Sequence, residues 1–143
     1  DCTGHYLPLA CTINGSRILD AGRAALGVDY DELAKLSFAS EPGAGGIPLV
    51  PYFDGERTPN RPDATATLSG LTLANTTKEN MARAFVEGLL CSQRDCLELI
   101  RSLGAEIKRI LLIGGGAKSE AIRTLARAAA SRTNTHVEVE LLD

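Results

Sequence analysis

Leu111-Leu112-Ile113-Gly114-Gly115-Gly116-Ala117-Lys118-Ser119 decides how this chain is read: an apolar run ends in three glycines, and a helical pattern begins directly after them. The order is strand, glycine turn, helix. Backbone without Cβ atoms can turn sharply and come close to a ligand, while the first turn of the next helix offers unpaired N–H groups and the positive end of its dipole. A triple glycine also ends strands wherever a tight connection needs positive φ, so the turn by itself names no ligand. A P-loop would require glycine where Ala117 precedes Lys118-Ser119, and that pattern fails. The dinucleotide fingerprint fits Gly114-x-Gly116 but meets Ser119 in place of its third glycine, which leaves it a competitor only.

Outward from this turn, Lys108 to Ile113 reads as a strand of buried type, and Lys118 to Ser131 as a helix with a slim apolar face of Ala121, Ile122, Leu125 and Ala129. Val137 to Leu142 reads as the next strand, completing a strand, helix, strand unit with a right-handed crossover. Upstream lies the longest helix, Thr77 to Leu103, opened by a capping box at Thr76-Thr77-Lys78-Glu79 and closed by Gly104. Its inward stripe is Met81, Phe85, Gly88, Leu89, Ser92, Cys96, Ile100 and Leu103, with i,i+4 pairs Arg83–Glu87 and Arg94–Glu98. Nearer the start, apolar residues from Ile13 to Leu26 recur at helical spacing and stop at Gly27; Asp29 to Glu32 caps a short helix reaching about Leu36. Ile47 to Phe53 is apolar but carries Pro48 and Pro51, which demote it to an edge strand or extended segment. Asp54 to Asp63 is a polar, turn-rich loop.

With 143 residues, 44% hydrophobic and 23% charged, the chain has the composition of one globular domain with one core. Fifteen basic against eighteen acidic residues give a net charge of −3, so no electrostatic case exists for nucleic acid or an anionic membrane as partner. Cys2, Cys11, Cys91 and Cys96 have no CxxC spacing, and His5 and His136 stand apart from them. We expect reduced structural thiols in a cytoplasmic protein, with no metal held by side chains. The chain opens without methionine or a leader-like segment and carries few strands for its length. The expectation is therefore an α/β fold in a single incomplete domain over residues 1–143, a small mixed sheet flanked by helices whose further strands lie outside.

Three stretches then carry a resemblance. Pro51-Tyr52-Phe53-Asp54-Gly55-Glu56-Arg57-Thr58-Pro59 resembles the Pro-Tyr-x-x-Gly-Glu-Arg-Thr-Pro segment of xylulokinases. Ser69-Gly70-Leu71-Thr72, with Asn80-Met81 and Ala84 to Glu87, is similar to the second signature of the carbohydrate kinase superfamily, with Phe85 where the signature prefers a smaller residue. Leu112 to Ser119 resembles the adenosine-binding loop of that superfamily, which shares the actin and hexokinase (ribonuclease H-like) fold.

The resemblance implies the carboxy-terminal part of an ATP-dependent sugar kinase that converts D-xylulose to its 5-phosphate, with Mg2+ on the phosphates. Gly114, Gly115, Gly116 and Ala117 would line the adenosine pocket, with Ser119 and Glu120 nearby. Gly55, Arg57 and Thr58 would form a loop facing phosphate or the domain interface; equally, Arg57 could pair with Glu56 or Asp63 and only pin the loop. No catalytic residue is assigned, because the family's Gly-Gly-Asp-Asn-like base segment and Thr-Ser-Gly turn do not occur in this sequence. The implied partners are ATP, a small sugar and the amino-terminal domain of the same chain, and a homodimer is kept as an expectation. Kinases of glycerol, gluconate, ribulose or rhamnulose, and a non-catalytic nucleotide-binding or interface module, remain the alternatives.

Overall fold

The computed structural model describes residues 3–107, 109–115, 119, 122–124 and 127, and the backbone of 138–141. The elements run α1 (Arg17–Leu26), α2 (Tyr30–Ala39), a 3-10 turn (Ala44–Gly46), β1 (Leu49–Val50), β2 (Thr67–Leu68), α3 (Lys78–Ser102), β3 (Arg109–Leu112) and β4 (Glu138–Leu141). The strands form two separate pairs, β1 antiparallel to β2 and β3 parallel to β4.

α3 is the axis of the molecule. Its 25 residues extend about 37 Å at 1.5 Å per residue. The Thr77 side chain accepts the Asn80 N–H at 3.2 Å, so the cap sits one residue later than the Thr76–Glu79 box expected from sequence. Thr76 instead donates its hydroxyl to the Thr72 carbonyl, closing the preceding turn. The anticipated stripe is too narrow at this end. Ala82 to Val86 are all buried because α3 is covered on two sides. On one side Ala84 and Phe85 join Ile18, Ala44, Ile47 and Leu49; on the other, Ala82 and Val86 join Leu19 and Leu33. At the far end the stripe is too long, since Leu103 is 73% exposed and Cys96 is the last buried residue. α1 and α2 pack on the first turns of α3, and among the described residues nothing buries its last turn.

Two glycines inside helices set how closely these elements approach. A Cβ on Gly22 would stand 2.8 Å from Phe85 Cγ, and one on Gly88 would stand 2.9 Å from Leu49 Cδ2. Gly22 therefore makes the room that the Phe85 ring occupies. Phe85 also stacks on Phe53, with ring centroids 6.3 Å apart and planes 14° apart.

Arg83 does more than the surface pairing its spacing suggests. It is buried, donates to Glu87 Oε1 at 2.5 Å, and reaches the Ser37 and Ser40 carbonyls at 3.3 and 3.5 Å. A cation on the last carbonyls of α2 satisfies acceptors the helix cannot satisfy itself and suits the negative end of its dipole. Glu87 passes the link on by accepting the Gly43 N–H at 3.1 Å, which seats the 3-10 turn against α3. The second expected pair is replaced: Glu98 takes Arg101 at 2.7 Å in place of Arg94, an i,i+3 partner nearer the helix end where a cation suits the dipole.

α1 begins at Arg17, not near Ile13, because Ile13 and Asn14 are drawn into bonds with a loop far along the chain, described below. α2 starts as read, with Asp29 accepting the Glu32 N–H at 2.8 Å, and runs on to Ala39. Pro48 and Pro51 bracket β1 and limit it to two residues, as the missing N–H donors require. β3 is not buried: Arg109 and Leu111 are exposed while Ile110 and Leu112 are half-buried, since β4 is its one partner strand among the described residues. The parallel β3–β4 register, Arg109 with Glu138 to Leu112 with Leu141, bears out the two expected strands as a pair. Of the connecting helix read over Lys118 to Ser131, only Ser119, Ile122 to Thr124 and Arg127 fall within the described residues. Ile122 packs on the Leu19–Leu33–Ala82–Val86 cluster, the core that α1 to α3 share.

Candidate functional site

β3 delivers the chain to Ile113, which is 70% exposed, and then into the glycine turn. Gly114 holds φ +89, a conformation that side-chain-bearing residues rarely adopt. Among the described residues nothing lies within 4 Å of a Cβ placed on Gly114 or on Gly115, and both are exposed. Ser119 Oγ accepts the Ile122 N–H at 3.5 Å, and its carbonyl accepts the Arg123 N–H at 3.1 Å, which is how a serine starts a helix. Gly116, Ala117 and Glu120 lie outside the described residues. The described part is thus an exposed strand end, a left-handed glycine with clear space above it, and a serine-capped helical turn.

The second site segment is built differently. Gly55 is buried at φ +71, and a Cβ there would collide with the Pro62 carbonyl. Its N–H donates to the Ala64 carbonyl at 3.1 Å, and Glu56 and Arg61 exchange backbone bonds at 2.9 and 2.8 Å. The stretch read as a polar, turn-rich loop therefore closes into a hairpin-like turn. The cause is Glu56, whose residue is 1% exposed. Its carboxylate accepts the Ile13 N–H at 2.6 Å, the Arg57 N–H at 2.8 Å and the Asn14 Nδ2–H at 3.1 Å, with a further bond from the Thr58 N–H. Burial alone would raise the pKa of this carboxyl; the four donors outweigh it and hold the value below the ordinary 4.5. Asn14, equally buried, donates to the Gly55 carbonyl at 2.7 Å and accepts the Asp54 N–H at 3.2 Å. Arg17 and Asp54 add an ion pair at 2.7 Å beside it.

Neither Asn14 nor Glu56 stands out in the sequence as a site residue. Isolated polar residues give no periodic signal; the clue for Glu56 is its place in the Gly-Glu-Arg-Thr-Pro stretch that carries the resemblance, and Asn14 has none. Of the expected residues, Arg57 is exposed and Thr58 half-buried. Among the described residues the Arg57 guanidinium makes no ion pair with Glu56 or Asp63. The loop's bonds run to Ile13 and Asn14 at the start of α1, whereas those of Ser119 run within its own helical turn. A cleft of about 210 Å3 between the 3-10 turn and α3, lined by Gly43, Ile47, Ala84, Glu87 and Cys91 among others, includes none of the expected site residues.

Among the described residues no group of three or more His, Cys, Asp or Glu side chains could hold a metal ion, and no helix is long and apolar enough to cross a membrane. Cys11, Cys91 and Cys96 are free thiols. Burial, followed by nearby carboxylates, pushes the Cys91 and Cys96 thiols up.

Residues 5–140 match the family model "FGGY family of carbohydrate kinases, C-terminal domain". The chain belongs to this family. It is 40% identical over 114 residues to the xylulose kinase of Haemophilus influenzae, covering 80% of this chain and 23% of that protein. With the xylulose kinase of Streptomyces rubiginosus it shares 38% identity over 133 residues, covering 92% of this chain and 26% of the relative. The crystal structure of xylulose kinase from Bifidobacterium adolescentis superposes with a TM-score of 0.84 at 91% identity, over 88% of this chain and 25% of that one. This family member, with the actin-like α/β fold of its sugar-kinase neighbours, thus spans about a quarter of the length of the proteins it matches.

Proposed function

We propose that the chain is the nucleotide-holding part of an ATP-dependent carbohydrate kinase whose acceptor is D-xylulose. The observation that carries this reading is the exposed glycine turn at the end of β3, where Gly114 is left-handed and no described residue stands within 4 Å of a Cβ on Gly114 or Gly115. A purine and ribose can lie directly on main chain there, and the helix that Ser119 begins directs N–H groups and positive dipole toward acceptor or anionic groups. Gly116, Ala117 and Glu120 complete this pocket in the proposal. Membership of the family and the likeness in sequence to xylulose kinases support the choice of sugar.

In such a kinase the γ-phosphoryl group passes to a sugar hydroxyl, and catalysis is chiefly positioning and charge stabilisation. This chain holds the donor. Arg57 and Thr58 form an edge facing the phosphates, with buried Gly55 making the turn behind them, Mg2+ arrives on those phosphates, and the base that accepts the hydroxyl proton comes from outside the chain. The free thiols accord with a cytoplasmic protein.

Titration of the full-length kinase with an ATP analogue tests the reading. Gly115→Val, which meets no neighbour among the described residues, is expected to weaken nucleotide binding at least about ten-fold while sugar binding stays intact. Unchanged nucleotide affinity in that variant would overturn the proposal.

A further inference from the structure

Arg57 and Glu56 are neighbours with opposite fates. A buried carboxylate beside an arginine ordinarily takes the guanidinium as its counter-charge. Here Glu56 is neutralised by three backbone N–H groups and the Asn14 amide, and the adjacent guanidinium is left exposed. Asp54, three residues upstream, is paired with Arg17. The main chain at Arg57 is at the same time among the best fixed in the loop: its N–H is held by Glu56, the Glu56–Arg61 bridge closes the turn behind it, and Asn14 ties Asp54 and Gly55 to the start of α1. Rigid support beneath a free cation is an arrangement for presenting that cation to an anion.

We infer that Glu56 is a positioning residue: its buried carboxylate fixes the backbone of Arg57 against α1 so that the guanidinium is presented to the phosphates of the nucleotide. This rests on the proposed role of Arg57 in the kinase. Glu56 touches neither substrate nor phosphate itself. Replacing it by glutamine keeps the shape but sets an amide against N–H donors, which loosens Arg57 without removing it.

The test is a double-mutant cycle in the full-length kinase, with Arg57→Ala, Glu56→Gln and the pair together, reading kcat and KM for ATP and for sugar, and Tm. Arg57→Ala is expected to lower kcat/KM for ATP at least about ten-fold with Tm unchanged. Glu56→Gln should raise KM for ATP but not for sugar, and should lower Tm. In the Arg57→Ala background the Glu56→Gln change should leave kcat/KM for ATP unaltered, because the residue it positions is gone. Multiplying losses in the double variant, or a Glu56→Gln enzyme with wild-type KM for ATP, would overturn the inference while leaving the Arg57 reading in place. Wild-type kinetics in Arg57→Ala would remove that reading itself. If the glutamine variant is not recovered folded, Glu56→Asp, which keeps the charge one methylene further back, runs the same cycle: the same changes in KM support the inference and the same failures overturn it.

Discussion

Gly55 and Gly114 both hold positive φ, +71 and +89, yet for opposite reasons. At Gly55 the space a Cβ needs is already taken by the Pro62 carbonyl, and the surrounding loop is knotted by Glu56 and Asn14. At Gly114 and Gly115 no described residue occupies that space. One glycine serves the chain's own packing; the other leaves room for something that is not the chain. The contrast also separates two kinds of loop: a turn-rich segment can be among the most firmly held parts of a molecule when a buried charge is threaded through it.

The sharpest way to break this contrast is to attack the held side. Glu56→Ala strips the acceptor from four donors in a buried setting and should cost about 3 kcal/mol or more, read as a fall in Tm or denaturation midpoint of the full-length kinase. A loss below about 1 kcal/mol would mean that the knot is not holding the loop. Gly22→Ala, which forces a methyl group toward Phe85, should cost about 1–3 kcal/mol. Combining it with Phe85→Leu should recover part of that loss, as coupling between touching residues requires.

A smaller effect lies in the acid limb of stability. Because the Glu56 carboxyl is held below 4.5 when folded, its contribution is complete above that ordinary value and fades as pH falls through the lower folded one. Stability measured from about pH 6 down to about pH 2 should therefore drop less steeply in Glu56→Gln than in the parent, and parallel curves would refute the assignment. On the open side, Gly114→Ala should cost only the left-handed backbone strain, about 1 kcal/mol. Gly115→Val, with free space around it and no positive φ, should leave stability within about 0.5 kcal/mol while weakening nucleotide binding. Were Gly115→Val to destabilise the fold as Glu56→Ala does, the two glycine segments would not differ in kind.

Much of the fold was legible in the chain because it rests on local rules. The α2 cap at Asp29, the α3 run closing near Gly104, the proline-bracketed β1 and the β3–β4 unit all follow from periodicity, capping side chains and missing donors within a few residues. The glycine turn was legible for the same reason. Sequence and structure part where a distant element intervenes. α1 starts late because Glu56, 43 positions beyond Ile13, takes the Ile13 N–H. The α3 stripe widens at Ala82 to Val86 because two layers cover it, and it fails at Leu103 because nothing among the described residues does.

Sequence by itself determined α2, α3, the proline-bracketed β1 and the β3–β4 pair, where glycine must turn the chain, and which family the landmarks resemble, since each depends on near neighbours and on the geometry of a single residue, whereas β2 has no such local signal. Only the tertiary structure decided that Arg83 caps α2, that Gly22 accommodates Phe85, and that Glu56 and Asn14 bind the loop to α1. Those outcomes depend on which polar atoms are buried together and which spaces are already filled, and burial is a property of the packed whole.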